Sequence, residues 1–430
     1  MTVTTGGSSS WRVINSLLEG IPIPRMVKVR QKFFQPDVTD MQKAFADQLA
    51  SENLWASLKR GERVAIGVGS RGIDGQIEAV QTIVTAVKER GGIPFLVPAM
   101  GSHAGATAEG QRKMLLTLGF GEVDAPIHSS METVKLGVCP DGMPVLIDRF
   151  AHEADHLIIV NRVKSHVCFR GSYESGLVKM IAIGLGKQQG AEIAHNLGFG
   201  RMARHIEAIA TEALSHLKLL FAVALVEDAT HRCAHVEAIA PPNLLTREAE
   251  LLKLSKGWEA RLYFESLDGL IIDEIGKNIS GSGFDTNIVG RYHSEHIDGG
   301  PKITRVAILD ISPESNGNGN GLGMADFTTV RAVEKFDFAQ TYPNTLTALL
   351  TGGVKIPMIL MNDRQVLQAC MKTSYRDRWE DARIVRIRNT LSLSEIEVSE
   401  SLIAEIEHDS RFEIISEPYD LEFTDEGNLF

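Results

Sequence analysis

Arg71, His103, His166, Lys179 and His195 carry most of the chemistry this sequence could offer, and three of them stand just past apolar runs. His103 lies in Met100-Gly-Ser-His-Ala-Gly-Ala after the run Ile93-Pro-Phe-Leu-Val, and His166 lies in Asn161-Arg-Val-Lys-Ser-His after His156-Leu-Ile-Ile-Val. A lone histidine at such a place is commonly structural or solvated. Two histidines brought to one crevice suit acid–base work, because an ordinary pKa of about 6.5 lets imidazole take and return a proton near neutrality. Arg71 follows the strand-like Val64-Ala-Ile-Gly, within Gly67-Val-Gly-Ser-Arg-Gly72, where its fork of N–H donors could clamp a carboxylate.

Lys179 sits in Glu174-Ser-Gly-Leu-Val-Lys-Met-Ile-Ala-Ile-Gly, among apolar residues at helical spacing. A lysine there either snorkels its ammonium to the surface or keeps a partly desolvated amine able to form a covalent link. The residues alone leave both open. His195 follows Gly190-Ala-Glu-Ile-Ala on what reads as a short helix.

Other motifs weaken on inspection. Gly67-Val-Gly-Ser-Arg-Gly72 has the form of a dinucleotide fingerprint, but the next strand ends Val97-Pro-Ala-Met-Gly101 without the acidic residue that would hold a ribose. Gly184-Leu-Gly-Lys187 lacks the spacing and the following Ser/Thr of a P-loop. His231-Arg-Cys-Ala-His235 could share a helical face in a divalent-metal hydrolase, yet its neighbours read as strand and loop and the H-E-x-x-H glutamate is missing. His293-Ser-Glu-His296 reads as a solvated loop.

The elements that must position these residues alternate. Met26-Val-Lys-Val-Arg patterns as an edge strand, and a helix over about 41–58 follows, with Thr39 as its capping candidate. Val64–Gly67, a helix Gln76–Arg90 and Ile93–Val97 form a βαβ unit, whose crossover requires parallel strands. Strands at His156–Asn161 and Leu219–Val226 alternate with helices at Glu174–Ile183 and Arg201–Leu217, and a polar helix spans Thr246–Lys256. Further strands are expected at Gly269–Asp273, Arg305–Ile311, Met358–Met361 and Ile384–Ile387. The expected architecture is α/β in two domains: a larger N-terminal doubly wound, mostly parallel sheet over residues 11–260, and a smaller C-terminal α/β domain over 261–430 closing over a site in the cleft between them. Residues 1–10, polar and rich in Gly and Ser, are expected to be disordered.

Composition narrows the partners. A net charge of −11 offers no basic patch for nucleic acid or an anionic membrane. Four cysteines without a C-x-x-C pair argue against a disulfide framework or a thiolate zinc site. The first ten residues lack the basic and apolar regions of a signal peptide, and no apolar run reaches membrane-spanning length, so a cytoplasmic protein is expected.

Taken together, Arg71, Gly101-Ser-His103, His166, Ser175-Gly-Leu-Val-Lys179 and His195, with sixteen residues from Lys179 to His195, resemble the lactate racemase family that carries a nickel-pincer nucleotide. The likeness covers most of residues 60–200 and is thinner at Ser280-Gly-Ser-Gly-Phe-Asp-Thr-Asn and Gly321-Leu-Gly-Met-Ala-Asp326. It implies a nicotinate-derived mononucleotide bearing two sulfur groups, tethered to Lys179 through a thioamide, with Ni(II) held by a ring carbon, two sulfurs and His195. It also implies inversion at C2 of a small 2-hydroxyacid by hydride transfer, with His103 and His166 as the two bases and Arg71 on the carboxylate. Enzymes that build the cofactor by carboxylation and hydrolysis, sulfur insertion and nickel insertion are implied partners. The departures fall on the substrate side. The family's Asp-x-Thr-Arg-Pro turn is Val68-Gly-Ser-Arg-Gly72 here, Gly290 stands for a glutamine, and His293 stands for a lysine near the substrate. A larger or differently charged 2-hydroxyacid, including a sugar acid, is therefore expected in place of lactate. The alternative is a small-molecule-binding homologue that keeps the fold without turnover.

Overall fold

The structure is a computed structural model and describes residues 11–38, 41–196 and 198–430. The expected disordered segment 1–10 and the capping candidate Thr39 lie outside the described residues. The chain divides into two compact units: Phe34–Glu259, and the chain through Phe33 together with Ala260–Phe430.

In the Phe34–Glu259 unit, β1 (Arg63–Val68), α1 (Gln76–Glu89), β2 (Ile93–Pro98), β3 (His156–Arg162), β4 (Leu219–Glu227) and β5 (Cys233–Ile239) form a five-stranded sheet in the order β2-β1-β3-β4-β5. The first four strands run parallel and β5 returns antiparallel to β4. Val64–Val68, His156–Val160 and the whole of β4 are buried runs, which parallel strands covered on both faces require. Chain order runs from β1 out to β2 and then back across to β3, so the sheet reverses between β1 and β3. The carboxyl ends of such neighbouring strands are where open α/β sheets place ligands. A separate hairpin, Thr133–Val138 with Pro144–Asp148, has no counterpart in the sequence reading.

The other unit holds an eight-stranded sheet. Met358–Leu360, Phe327–Thr329, Lys302–Ile311, Ser266–Ile275 and Ile384–Ile387 are parallel neighbours, and Glu395–Ser399, Met26–Gln31 and Phe412–Ile414 continue antiparallel. Two expectations are corrected here. Met26–Gln31 is an interior strand, not an edge, and it belongs to this unit, because its alternate buried residues Val27 and Val29 join this unit's core. The eight-stranded sheet has more strands than the five-stranded one, while Phe34–Glu259 remains the larger unit of chain. Among the described residues no helix is long and apolar enough to cross a membrane, and the four cysteines are buried and form no disulfide.

Candidate active site

All five residues named first above belong to the Phe34–Glu259 unit, and each follows from where its element ends. Beyond β1 the chain turns at Gly69-Ser70-Arg71. A Cβ at Gly69 would stand 3.5 Å from Asn161 Oδ1 and from Met180 Cε, so this turn lies against the end of β3 and the segment after Lys179. The Asp74 N–H donates to Glu227 Oε1 at 3.3 Å, and Glu227 in turn pairs with Arg162 at the end of β3. Desolvation, and secondarily the nearby Arg162 cation, lower the Arg71 pKa, yet guanidinium stays charged at any physiological pH.

His103 is exposed and follows β2 through Gly101, which adopts φ +57° and donates its N–H to Gly184 O at 3.0 Å. A Cβ there would lie 3.4 Å from Ile183 Cγ2 and 3.6 Å from Ala191 Cβ, so the loop bearing His103 packs on the segments bearing Lys179 and His195. His103 Nδ1 lies 2.5 Å from Ser70 Oγ, joining the first two loops directly.

His166 follows β3. Its backbone N–H donates to Glu174 Oε2 at 2.7 Å, and its Nδ1 accepts the Cys168 N–H at 3.0 Å. An accepting Nδ1 puts the proton of the neutral ring on Nε2. To act as a base, His166 must give up the Cys168 bond.

Lys179 ends a single helical turn, Leu177–Lys179, and the chain then widens into a π-helical turn, Met180–Gly184, with the Leu185 N–H reaching back to Met180 O at 2.9 Å. Such turns are frequent at functional sites. Desolvation brings the amine down to about 8, with Arg71 pushing the same way and Cys168 and Glu174 opposing. Lys179 is partly buried, and this desolvation favours the second of the two readings, an amine kept from full solvation.

His195 closes helix α2 (Lys187–His195). Its Nδ1 lies 2.6 Å from Ala191 O, a carbonyl that can only accept, so Nδ1 carries the proton and Nε2 keeps its lone pair. Desolvation lowers its pKa and the Lys179 cation lowers it further, so the neutral, metal-binding form dominates at neutral pH. The Phe199 ring lies 5.6 Å from His195 and 6.2 Å from His166, so one aromatic side chain spaces the two. The fit to a lysine-tethered metal cofactor is thus good: a desolvated amine, and beside it an imidazole whose Nε2 is oriented as a donor. Among the described residues no three His, Cys, Asp or Glu side chains gather as a metal cage, so His195 would be the lone protein ligand.

Sequence reasoning missed the buried polar groups that hold these loops. Lys187, wholly buried, donates to Pro98 O at 2.5 Å and Gln111 Oε1 at 3.2 Å and pairs with Asp148 at 3.0 Å. Gln111 passes the restraint on, donating to Gly101 O at 2.8 Å. Only the positive φ of Lys187 (+55°) and its place at the head of the His195 helix mark it, and neither shows in sequence.

Two other expectations change. His231 lies in a turn at φ +63° and His235 on β5 beside Glu237, at 3.0 Å, so they do not share a helical face and the hydrolase reading falls. His293 belongs to the other unit and is partly buried rather than solvated. Its Nδ1 lies 3.3 Å from Met324 Sδ, and desolvation, with the Lys277 cation, takes it down to about 4.

Residues 24–206 match the family model described as the lactate racemase N-terminal domain. No curated protein matches the chain. Among solved structures, the lactate racemase apoprotein from Thermoanaerobacterium thermosaccharolyticum is similar at 16% identity, covering 85% of this chain and 94% of that one, with a TM-score of 0.49.

Proposed function

We propose that this chain, lactate racemase-like over residues 24–206, is an isomerase that inverts C2 of a 2-hydroxyacid. The observation that carries the reading is the desolvated Lys179 amine beside a His195 whose Nε2 lone pair is fixed by the Ala191 bond. Lys179 would tether a nickel-pincer nucleotide and His195 would ligate its Ni(II); sulfur donors with an imidazole suit that ion. When bound, that group supplies a hydride acceptor and donor. It must be supplied by enzymes that carboxylate and hydrolyse its nicotinate precursor, insert sulfur and insert nickel.

The rest falls to the chain's own side chains. Arg71 clamps the substrate carboxylate, which orients C2. The hydroxyl proton must leave as the C–H bond breaks. From an oxygen with a pKa near water's ~15.7 to an imidazole of ~6.5, the transfer alone would be uphill by roughly 12 kcal/mol. The histidine therefore takes the proton in concert with C–H cleavage. The two enantiomers present their hydroxyls from opposite sides, so two bases serve. His103, held by Ser70, is one, and His166, once it releases the Cys168 N–H, is the other. His293, neutral and in place of the family's lysine, is assigned to substrate selection, which favours a 2-hydroxyacid other than lactate.

A 2-hydroxyacid deuterated at C2 tests the reaction. Loaded protein should racemise or epimerise it with deuterium retained at C2. Complete exchange with solvent would mean carbanion chemistry and overturn the hydride reading.

A further inference from the structure

We infer that Glu248 is a positioning residue for Lys179, and that Gly176 in the Ser175-Gly-Leu-Val-Lys179 motif is glycine because the Glu248 carboxyl group fills its side-chain space. The inference rests on Lys179 being the functional amine, but its test does not need the cofactor.

Glu248 belongs to helix α3 (Leu244–Trp258) and is 1% exposed. Its Oε2 accepts the Val178 N–H at 2.8 Å, capping the one turn that ends at Lys179. A Cβ on Gly176 would stand 2.2 Å from Glu248 Oε1 and 2.7 Å from Cδ. The backbone at Gly176 is extended, at φ −176°, so conformation does not require glycine there and the approach of the carboxyl group does. Gly176 O is itself held by Asn161 Nδ2 at 3.0 Å, so the motif cannot back away from the helix without losing that bond.

The helix and the Glu259 that follows it grip the segment twice more. Lys256 Nζ pairs with Glu174 at 2.7 Å, and Glu259 Oε1 accepts the Ser165 N–H at 2.7 Å. Glu174 in turn accepts the His166 N–H. One helix thus sets the backbone of both His166 and Lys179. The Leu177 N–H also favours the Glu248 carboxylate, so the side chain serves two successive amides of the turn, a role no apolar side chain could fill. Burial pushes the Glu248 carboxyl up to about 8, so it caps as a neutral acid and adds no charge beside the amine at neutral pH.

The test is trace acylation of the apoprotein across pH, with the labelling of Lys179 read by peptide mass spectrometry and folding read by thermal melting. Glu248→Gln, which keeps the acceptor, should retain the wild-type Lys179 profile. Glu248→Ala should change Lys179 labelling at neutral pH by about threefold or more, equivalent to about half a pKa unit. Gly176→Ala should disturb labelling on its own, and Gly176→Ala with Glu248→Ala should behave like Glu248→Ala alone, because the clash is gone. A Glu248→Ala protein that melts lower with an unchanged Lys179 profile overturns the inference, as do additive effects at 176 and 248. Glu248→Gln anchors the comparison if Glu248→Ala fails to fold: a glutamine variant that folds but loses the Lys179 profile also overturns it. If Lys179 proves not to hold a cofactor, these amine profiles still decide the role of Glu248.

Discussion

Lys187 and Asp148 form an ion pair at 3.0 Å with both side chains fully buried, and Lys187, at the head of the helix bearing His195, also donates to Pro98 O at the end of the strand that leads to His103. Burial pushes the Asp148 carboxyl up and the Lys187 ammonium down, and each is opposed by its partner. Removing one charge strands the other. Lys187→Met should cost about 3–5 kcal/mol of stability, while Lys187→Met with Asp148→Asn should cost clearly less. Urea denaturation of both variants checks this; equal losses would mean that the pair is not a coupled unit.

The ring protons of two histidines are expected on opposite nitrogens. His195 should carry its proton on Nδ1, bonded to Ala191 O, and His166 on Nε2, because its Nδ1 accepts the Cys168 N–H. Nitrogen NMR of histidine-labelled apoprotein, assigned with His166→Gln and His195→Gln, reads the tautomers directly. Nε2 protonation of His195 would leave Nε2 without a lone pair and count against the proposed ligation.

Stability should fall as pH rises between about 4.5 and about 8 because of Glu248. In the unfolded chain this carboxyl ionises near its ordinary value, whereas the folded protein holds the proton until about 8. Between those values the native state binds more protons, so raising the pH favours unfolding. Below that window the penalty is absent and above it the penalty is complete, at about a few kcal/mol. Glu248→Gln should flatten this decline in urea midpoints measured across the window. An unchanged slope would assign the decline to other groups.

Ser70 and Arg71 should separate kinetically in loaded protein. Ser70→Ala frees His103 Nδ1 from its 2.5 Å partner and should lower kcat by about tenfold, about 1.4 kcal/mol, with KM little changed. Arg71→Lys loses the two-pronged carboxylate contact and should chiefly raise KM. Steady-state kinetics in both directions distinguishes them; a Ser70→Ala effect confined to KM would mean that Ser70 does not orient His103 for catalysis.

The site was legible in sequence where strand ends and spacing carry it. Arg71, His103 and His166 each follow a buried run, and parallel strands deliver their carboxyl ends to one edge. What held those loops was not legible. Lys187 sits in Gly184-Leu-Gly-Lys187, which fails as a P-loop and then carries no other signal; its partners Asp148, Gln111 and Pro98 lie far away in sequence. Glu248 belongs to a helix rich in polar residues, where a carboxylate ordinarily faces water, and only the close approach of Gly176 draws it inside. The strand Met26–Gln31 was recognised as a strand but placed with the wrong unit, because local alternation says nothing about distant partners such as Glu395–Ser399.

Peptide mapping and intact mass of protein produced alongside the cofactor-building enzymes show whether Lys179 is the tether. A mass addition localised to Lys179 is expected, with nickel that is lost in His195→Ala while the addition on Lys179 remains. An unmodified Lys179 under those conditions, or an addition at another residue, would mean that Lys179 is not the tether.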